Sequence, residues 1–342
     1  MGIDVHLKSW RVTVMAGDIH CKTFSAPPQA DKLANFLREN YPGADYYSAY
    51  EAGFCGFSVH RDLTASGIKS IVVNPADIPT TDKEKRQKED SRDSRKIAKQ
   101  LQSGNLKAIF IPSDKTQHDR ILLRTRDTIV KDLTRNKNRV KSLLYLQGIN
   151  IPTRFEAKAY WSKAFLQWLS ELTFEHDTSR SGLDALLTMV NHQRSLLLKA
   201  NRQIRELSRT PHYHENALLL ITVPGIGPLT AMRLLTELEN VMRFKDFDHL
   251  CSYVGLVPST DSSGDVERTT GISPRKNPRL RRALIESAWI AIGNDPALLH
   301  SYQTLKKRMP GNRAIIRIAK KLLRRITYVL RTKQTYERGV IK

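Results

Sequence analysis

The sequence predicts an α/β layer with a mixed sheet, continued by a long and largely helical half. Three observations predict it. Strand-like and helix-like apolar patterns alternate over the first hundred residues, two long amphipathic patterns follow over 114–147 and about 181–209, and from Leu218 onward helical patterns are punctuated by Pro and Gly. A chain of 342 residues with 40% hydrophobic content is long enough for two or three domains with cores of their own.

Taken in order, Ile3–Met15 alternates apolar residues and reads as one strand. Gly17-Asp18 turns the chain into a second strand over Ile19–Ser25, which Pro27-Pro28 stops. Asp31–Asn40 sets Leu33, Ala34, Phe36 and Leu37 on a helical face. Tyr46–Tyr50 is a strand ending at Glu51, Phe57–Ala65 a helix closed by Gly67, and Ile68–Val73 a strand closed by Asn74-Pro75. Lys88–Leu101 is a helix with Ile97, Ala98 and Leu101 inward, ended by Gly104. Residues 114–147 carry apolar stripes at Ile121, Leu122, Val130, Leu133, Val140, Leu143 and Leu144, and Gly148 and Pro152 break the pattern. With the shorter Ala157–Leu172 piece and the second long stretch, they predict an antiparallel helical stalk or coiled coil, of a kind that often oligomerises, with a plain helical bundle as the alternative. LLLITVPGIGPLTAMRLLTEL is helix, turn, helix; 252–277 are loops and short strands; 278–293 and 312–331 are basic helices.

Fifty-six Lys and Arg against thirty-four Asp and Glu give a formal charge of +22, which points to a polyanionic partner, nucleic acid first. The excess is weighted toward the C-terminal half, where residues 306–325 hold nine cations and no acid. Cys21, Cys55 and Cys251 show neither metal-ligand nor redox spacing, so a reducing cytoplasm is expected. The opening MGIDVHLKSW lacks the apolar core of a signal peptide, and no apolar run approaches the ~20 residues that span a bilayer. The expectation is a soluble protein with no membrane partner.

The stretch KEDSRDSRK, residues 88–96, places Asp90 and Asp93 three apart among cations. Taken alone it reads as a solvated helix face with i,i+3 and i,i+4 ion pairs. Asp4 changes the weighing, because a strand position such as that in GIDVH should be apolar. Glu51 closes another strand. In a ribonuclease-H-like layer the first strand is central, the strand ending in Glu51 lies beside it, and the later helix packs across their ends. Four acids would then converge. Gathered carboxylates repel, and a divalent cation relieves the repulsion. Magnesium prefers such hard oxygen ligands.

PGIGPLTA, residues 224–231, offers backbone amides and a helix N-terminus to a phosphate, through Gly225 and Gly227. It resembles a helix-hairpin-helix element; a tight turn in which glycines permit close packing is the alternative. Further on, Ser262-Ser263-Gly264 precedes Arg268, Arg275, Lys276, Arg279, Arg281 and Arg282. A serine hydroxyl needs activation to attack phosphorus, and cations nearby would stabilise the charge that develops. By itself Ser-Ser-Gly is ordinary turn chemistry. The ten histidines form no HExxH pattern and read as surface or hinge residues.

In this order, GIDVH, YEAG, KEDSRDSRKIA, VPGIGPLTA, CSYVGLVPSTDSSG and NPRLRRAL resemble the DEDD transposases of the insertion-sequence 110 family, the RNA-guided bridge recombinases. The third motif departs from the usual wording, with Glu89 and Ser94 where Thr and Ala stand in the family. The resemblance implies a RuvC-like catalytic domain of ribonuclease H fold over 1–113, a coiled-coil connector over 114–215, and a mostly helical transposase domain over 216–342. It implies that Asp4, Glu51, Asp90 and Asp93 hold magnesium. It also implies that a serine, Ser263 with Ser262 as rival, attacks the scissile phosphate to give a 5′-phosphoserine link and strand exchange. Implied partners are target and donor DNA, a structured guide RNA, and further copies of the chain in dimers and a tetramer. Two other readings stay open: a metal-dependent nuclease or junction resolvase that uses water, and a nucleic-acid-binding protein without catalysis.

Overall fold

The computed structural model describes residues 1–79, 90–155, 160–263, 266–272 and 276–339, with side chains for these except 90, 91, 258–263 and 266–271. By its internal contacts the chain divides into two units, Met1–Pro112 and Ser113–Lys342.

The first unit contains β1 (Gly2–Val5), β2 (Trp10–Ala16), β3 (Ile19–Ala26), α1 (Ala30–Asn40), β4 (Tyr47–Glu51), α2 (Ser58–Ala65), β5 (Lys69–Val73) and α3 (Asp90–Gln102). The sheet order is β3-β2-β1-β4-β5. β1 is antiparallel to β2 and parallel to β4, and β4 is parallel to β5. This mixed layer is compatible with a ribonuclease-H-like domain. The stretch expected as one strand, Ile3–Met15, is a hairpin instead, with Val5 paired to Trp10 around His6–Ser9. Leu7 continues the apolar alternation in the sequence but is exposed at the turn.

The pleat sends successive side chains to opposite faces. Ile3, Val12 and Tyr50 pack with Leu33, Leu37 and Leu63 of α1 and α2. Ala49 and Val73 pack with Ile97 of α3 on the other face. Burial on both faces anchors the register, because a one-residue slip would exchange the two sets.

The second unit holds α4 (Asp114–Leu146), α5 (Lys163–Glu171), α6 (Asp177–Ser208), α7 (His214–Ile221), α8 (Pro228–Leu238), α9 (Phe247–Val254), the hairpin β6 (Pro258–Ser263) and β7 (Val266–Ile272), α10 (Pro278–Ile292), α11 (Pro296–Lys306) and α12 (Gly311–Thr332). Pro opens α8, α10 and α11, where its missing N–H costs nothing. α4 and α6 run antiparallel. Arg126 bonds Asn201, Asn136 bonds Gln193, and Gly182 lies against Leu143, so one number rises as the other falls. At one end of this pair Leu144 and Leu183 share a core with Phe155 and Phe165. At the other, Leu123 and Ile204 join the core of α8, α10 and α12. Helices α9 and α11 were not anticipated, although each carries an Asp cap, Asp246 and Asp295. Among the described residues no helix is long and apolar enough to cross a membrane.

Candidate active site and nucleic-acid interface

Gly2 fixes where α3 lies. A Cβ at this position would stand 2.0 Å from the Ser94 carbonyl oxygen and 2.3 Å from the Ala98 nitrogen, so α3 rests directly on β1. Opposite Gly2 on β2 is Thr13, whose Oγ1 bonds Ser94 Oγ at 2.9 Å with both residues fully buried. Ser94, which departs from the family wording, is thus satisfied by a partner in the sheet. Positions two apart on a strand share a face, so Asp4 faces the α3 side with Gly2, and Glu51 does so with Ala49. β1 and β4 pair Gly2 with Ala49 and Ile3 with Tyr50. Continuing that register sets Asp4 beside Glu51, on strands about 4.8 Å apart.

The direction of α3 completes the edge. Its C-terminal residues Ala98, Leu101 and Gln102 line a cavity of about 440 Å³ with Met1 and Tyr47, at the amino ends of β1 and β4. Gln102 also donates to Asp18 Oδ1 at 2.6 Å, in the β2–β3 turn. The first turn of α3, which holds Asp90 and Asp93, therefore points to the carboxyl ends of β1 and β4, where Asp4 and Glu51 stand. Carboxyl ends of strands are the usual place for chemistry in α/β sheets.

Asp4 is 23% exposed and accepts from His6 Nε2 at 3.0 Å. Glu51 is exposed and Asp93 half-buried. The Asp90 side chain lies outside the described residues. Among the described residues no three His, Cys, Asp or Glu side chains are gathered closely enough to hold an ion. The backbone brings the four positions to one edge; the three described carboxylates are not drawn together on it.

The serines belong to the second unit. Ser263 pairs with Val266 and Ser262 with Glu267, at the tip of the β6–β7 hairpin, and their side chains lie outside the described residues. The six cations expected to meet phosphate divide. Lys276 and Arg282 are exposed. Arg279 leans on Asp127 at 3.9 Å. Arg281 is half-buried, and burial lowers its pKa. The Arg268 side chain and all of Arg275 lie outside the described residues. The two turn glycines also differ. Gly225 has φ +81°, and a Cβ there would stand 2.3 Å from the Ser287 oxygen of α10, so it serves packing. Gly227 faces open space and is the N-cap of α8, with no side chain capping that end.

Sequence reasoning missed a buried polar centre in the second unit. The Glu237 carboxylate accepts Nε and Nη2 of Arg124, both at 3.1 Å, and Asn277 Nδ2 at 3.0 Å. Burial acts to raise its pKa, but Arg124, Asn277 and Arg120 outweigh burial and hold the group below the ordinary value. The available signal was a lone acid in the apolar run LTAMRLLTEL.

The family model described as Transposase IS116/IS110/IS902 family matches residues 217–303. A second, for the DEDD transposases of IS110 and described as Transposase, matches residues 1–148. The y4qE protein of Sinorhizobium fredii is 29% identical over 71% of this chain and 58% of its own length, so the chain spans less than two thirds of that relative. The transposase for insertion sequence element IS1533 of Leptospira borgpetersenii is 28% identical over 84% of each chain. The pilin gene-inverting protein of Moraxella bovis is 31% identical over 44% of this chain and 48% of its own. One model covers the unit with the acidic edge and the other the region of the serine hairpin, and the chain belongs to the IS110 family of DEDD transposases.

Proposed function

We propose that the chain cuts and rejoins DNA strands in the movement of an insertion sequence, with Asp4, Glu51, Asp90 and Asp93 holding a divalent cation, magnesium by preference, and Ser263 supplying the attacking hydroxyl. The observation that carries this reading is the shared edge: the β1–β4 register and the direction of α3 bring four acidic positions to one end of the sheet. Such all-oxygen donors suit a hard cation. When bound, that cation supplies positive charge beside the phosphate oxygens as the displacement proceeds.

In the step itself Ser263 Oγ bonds to phosphorus as the bond from phosphorus to the 3′ oxygen breaks. The 3′ oxygen leaves with the bonding pair and takes up a proton, the serine proton passes to solvent, and the 5′ end stays on the serine. Attack by the 3′ hydroxyl of another strand reverses the step and frees the serine, so no water is consumed. The open first turn of α8 at Gly227 and the exposed row Arg313, Arg317, Lys321 and Arg324 on α12 support phosphate contacts. The charge of +22 supports a second polyanion, a structured guide RNA that pairs with target and donor DNA. Exposed Ile121, Leu146, Met189 and Leu198 on the α4–α6 pair support assembly into dimers and a tetramer through the stalk.

The test is to trap the protein on nicked DNA with magnesium and the element's own RNA, and to map the adduct. A covalent link lost on Ser263→Ala, and on omission of RNA or magnesium, is expected. Cleavage with full turnover after Ser262→Ala and Ser263→Ala together overturns the serine mechanism in favour of water. Mixing Asp4→Ala protein with Ser263→Ala protein restores activity if acids and serine come from different copies, and leaves both inactive if one copy supplies both.

A further inference from the structure

Three elements of the second unit are fastened at Glu237. Its carboxylate takes the fork of Arg124 from α4 and the amide of Asn277 from the start of α10. Its carbonyl oxygen accepts the Tyr253 hydroxyl of α9 at 3.2 Å and Arg120 Nη2 of α4 at 3.2 Å. Arg120 is itself buried and donates through Nε to the Thr236 carbonyl at 2.6 Å, so a cation closes the last turn of α8, where carbonyls are left without helical partners. Tyr253 and Asn277 are also joined to each other, the Asn277 backbone N–H donating to the Tyr253 backbone carbonyl at 2.9 Å. Between them runs the excursion 254–276, which contains the β6–β7 hairpin. Asn277 makes two further bonds: its Oδ1 accepts the amides of Arg279 and Leu280 and caps α10.

We propose that Glu237 and Asn277 are positioning residues for the serine hairpin, clamping both ends of the 254–276 excursion to α4 and α8 so that Ser263 and Ser262 meet the phosphate in one geometry. The inference rests on the reading of those serines as the attacking group. A buried carboxylate with a bidentate guanidinium and a side-chain amide is directional in a way that apolar packing is not. Fixing the base of a two-stranded hairpin limits the arc through which its tip can swing. Placement of this kind is worth orders of magnitude in rate when the reacting atoms must be aligned. The same joint links α4 of the stalk to the hairpin base.

Asn277→Asp is the cleanest perturbation, because it keeps the oxygen that caps α10 but turns the amide donor into a carboxylate facing Glu237. Adding Glu237→Gln restores a donor and an acceptor with their direction reversed. Two readouts are taken on the full-length protein: hydrogen exchange over 254–276 without DNA, and the single-turnover rate of adduct formation on nicked DNA with magnesium and RNA. The clamp predicts faster exchange in the excursion for Asn277→Asp, an adduct rate down by about 10- to 100-fold with DNA affinity unchanged, and recovery of most of both losses in the double variant. Unchanged exchange in Asn277→Asp and in Glu237→Gln overturns the clamp. Faster exchange with an unchanged adduct rate overturns its catalytic role and leaves a structural joint. A double variant no better than Asn277→Asp overturns the pairing. If the serine reading itself is wrong, Ser262→Ala with Ser263→Ala leaves cleavage intact, whatever the exchange experiment shows of the clamp.

Discussion

Two sets of carboxylates, one in each unit, are treated in opposite ways. In the second, Glu237 and Asp295 are buried, and each is neutralised by an arginine and by hydrogen bonds from neighbours. In the first, Asp4 and Glu51 stand at the carboxyl ends of neighbouring strands and Asp93 in the first turn of α3, each partly in solvent. A buried acid with a cation and every oxygen bonded holds elements together, and removing it leaves the cation stranded. An acid partly in solvent keeps water around its charge, so its removal strands no buried cation. The difference gives a rule with opposite signs: edge acids should govern activity without stability, and buried acids stability before activity.

Asp4→Asn should break activity most. The chemistry assigned to the edge is worth several kcal/mol, so strand cleavage should fall by about 10³-fold or more. Stability should change by no more than about 0.5 kcal/mol, as for a surface substitution. Single-turnover cleavage and a denaturant melt check both halves. A large loss of stability would erase the distinction between the two sets of acids.

Gly2→Ala should come next, because it moves the edge without touching an acid. The added Cβ meets backbone atoms at 2.0 and 2.3 Å, and backbone cannot swing aside as a side chain can. Overpacking of this severity should cost about 3 kcal/mol and lower the melting temperature of the first unit by roughly 10 °C. Displacement of α3 from β1 should also cost cleavage about 100-fold in whatever protein stays folded. Calorimetry on the full chain, with cleavage assayed well below the melt, separates the two effects.

How much of this was legible in the sequence follows from the range of the interactions. The elements of the first unit were readable because alternation and helical periodicity are local, and the turn at Gly17-Asp18 is where two residues predict it. The failure at His6–Ser9 was local too: Leu7 kept the apolar rhythm through a turn. Asp4 and Glu51 could be named as acids ending strands, but their neighbourhood depends on a parallel pairing 47 residues apart that no local pattern encodes. Gly2 fell outside the strand read from Ile3 onward, and its close approach to α3 joins residues more than ninety apart, which no local pattern encodes. The Glu237 centre was out of reach, because Arg124 lies 113 residues before it and Asn277 40 after. The cations of 275–282 read alike in sequence, yet the fold sets Arg279 against Asp127 and leaves Arg282 exposed.

Asp295→Asn tests the buried side of the rule. Asp295 accepts the Leu298 amide at 2.9 Å and Arg325 Nη1 at 2.9 Å, and also the Tyr336 hydroxyl. Burial pushes its pKa up, but Tyr336, the Leu298 amide and Arg325 outweigh it, so the folded value is below the ordinary one. A depressed folded pKa contributes stability that is full above the unfolded value, near 4, and is lost as pH falls through the folded value. The substitution should therefore cost about 1–3 kcal/mol at neutral pH, and the gap to the parent protein should close as the melt is repeated below about pH 4. DNA cleavage at a permissive temperature should be unchanged. A gap that stayed constant down to low pH would mean that the charge of Asp295 does not carry its contribution.

The smallest expected effect separates the two glycines of PGIGPLTA. Gly227 is the N-cap of α8 and faces open space, so serine fits there without strain. Its hydroxyl should accept an amide of the first turn and add a few tenths of a kcal/mol of stability. The same amide is the one a phosphate would use, so occupying it internally should weaken DNA binding as the protein becomes more stable. Gly225→Ala should do the reverse, losing stability through a left-handed φ of +81° and the contact with α10, with DNA affinity following only as the fold loosens. Affinity measured at two salt concentrations, beside melts of both variants, decides the point. Opposite signs of stability and affinity at Gly227 assign the first turn of α8 to phosphate, and parallel signs at both positions make the motif a packing turn alone.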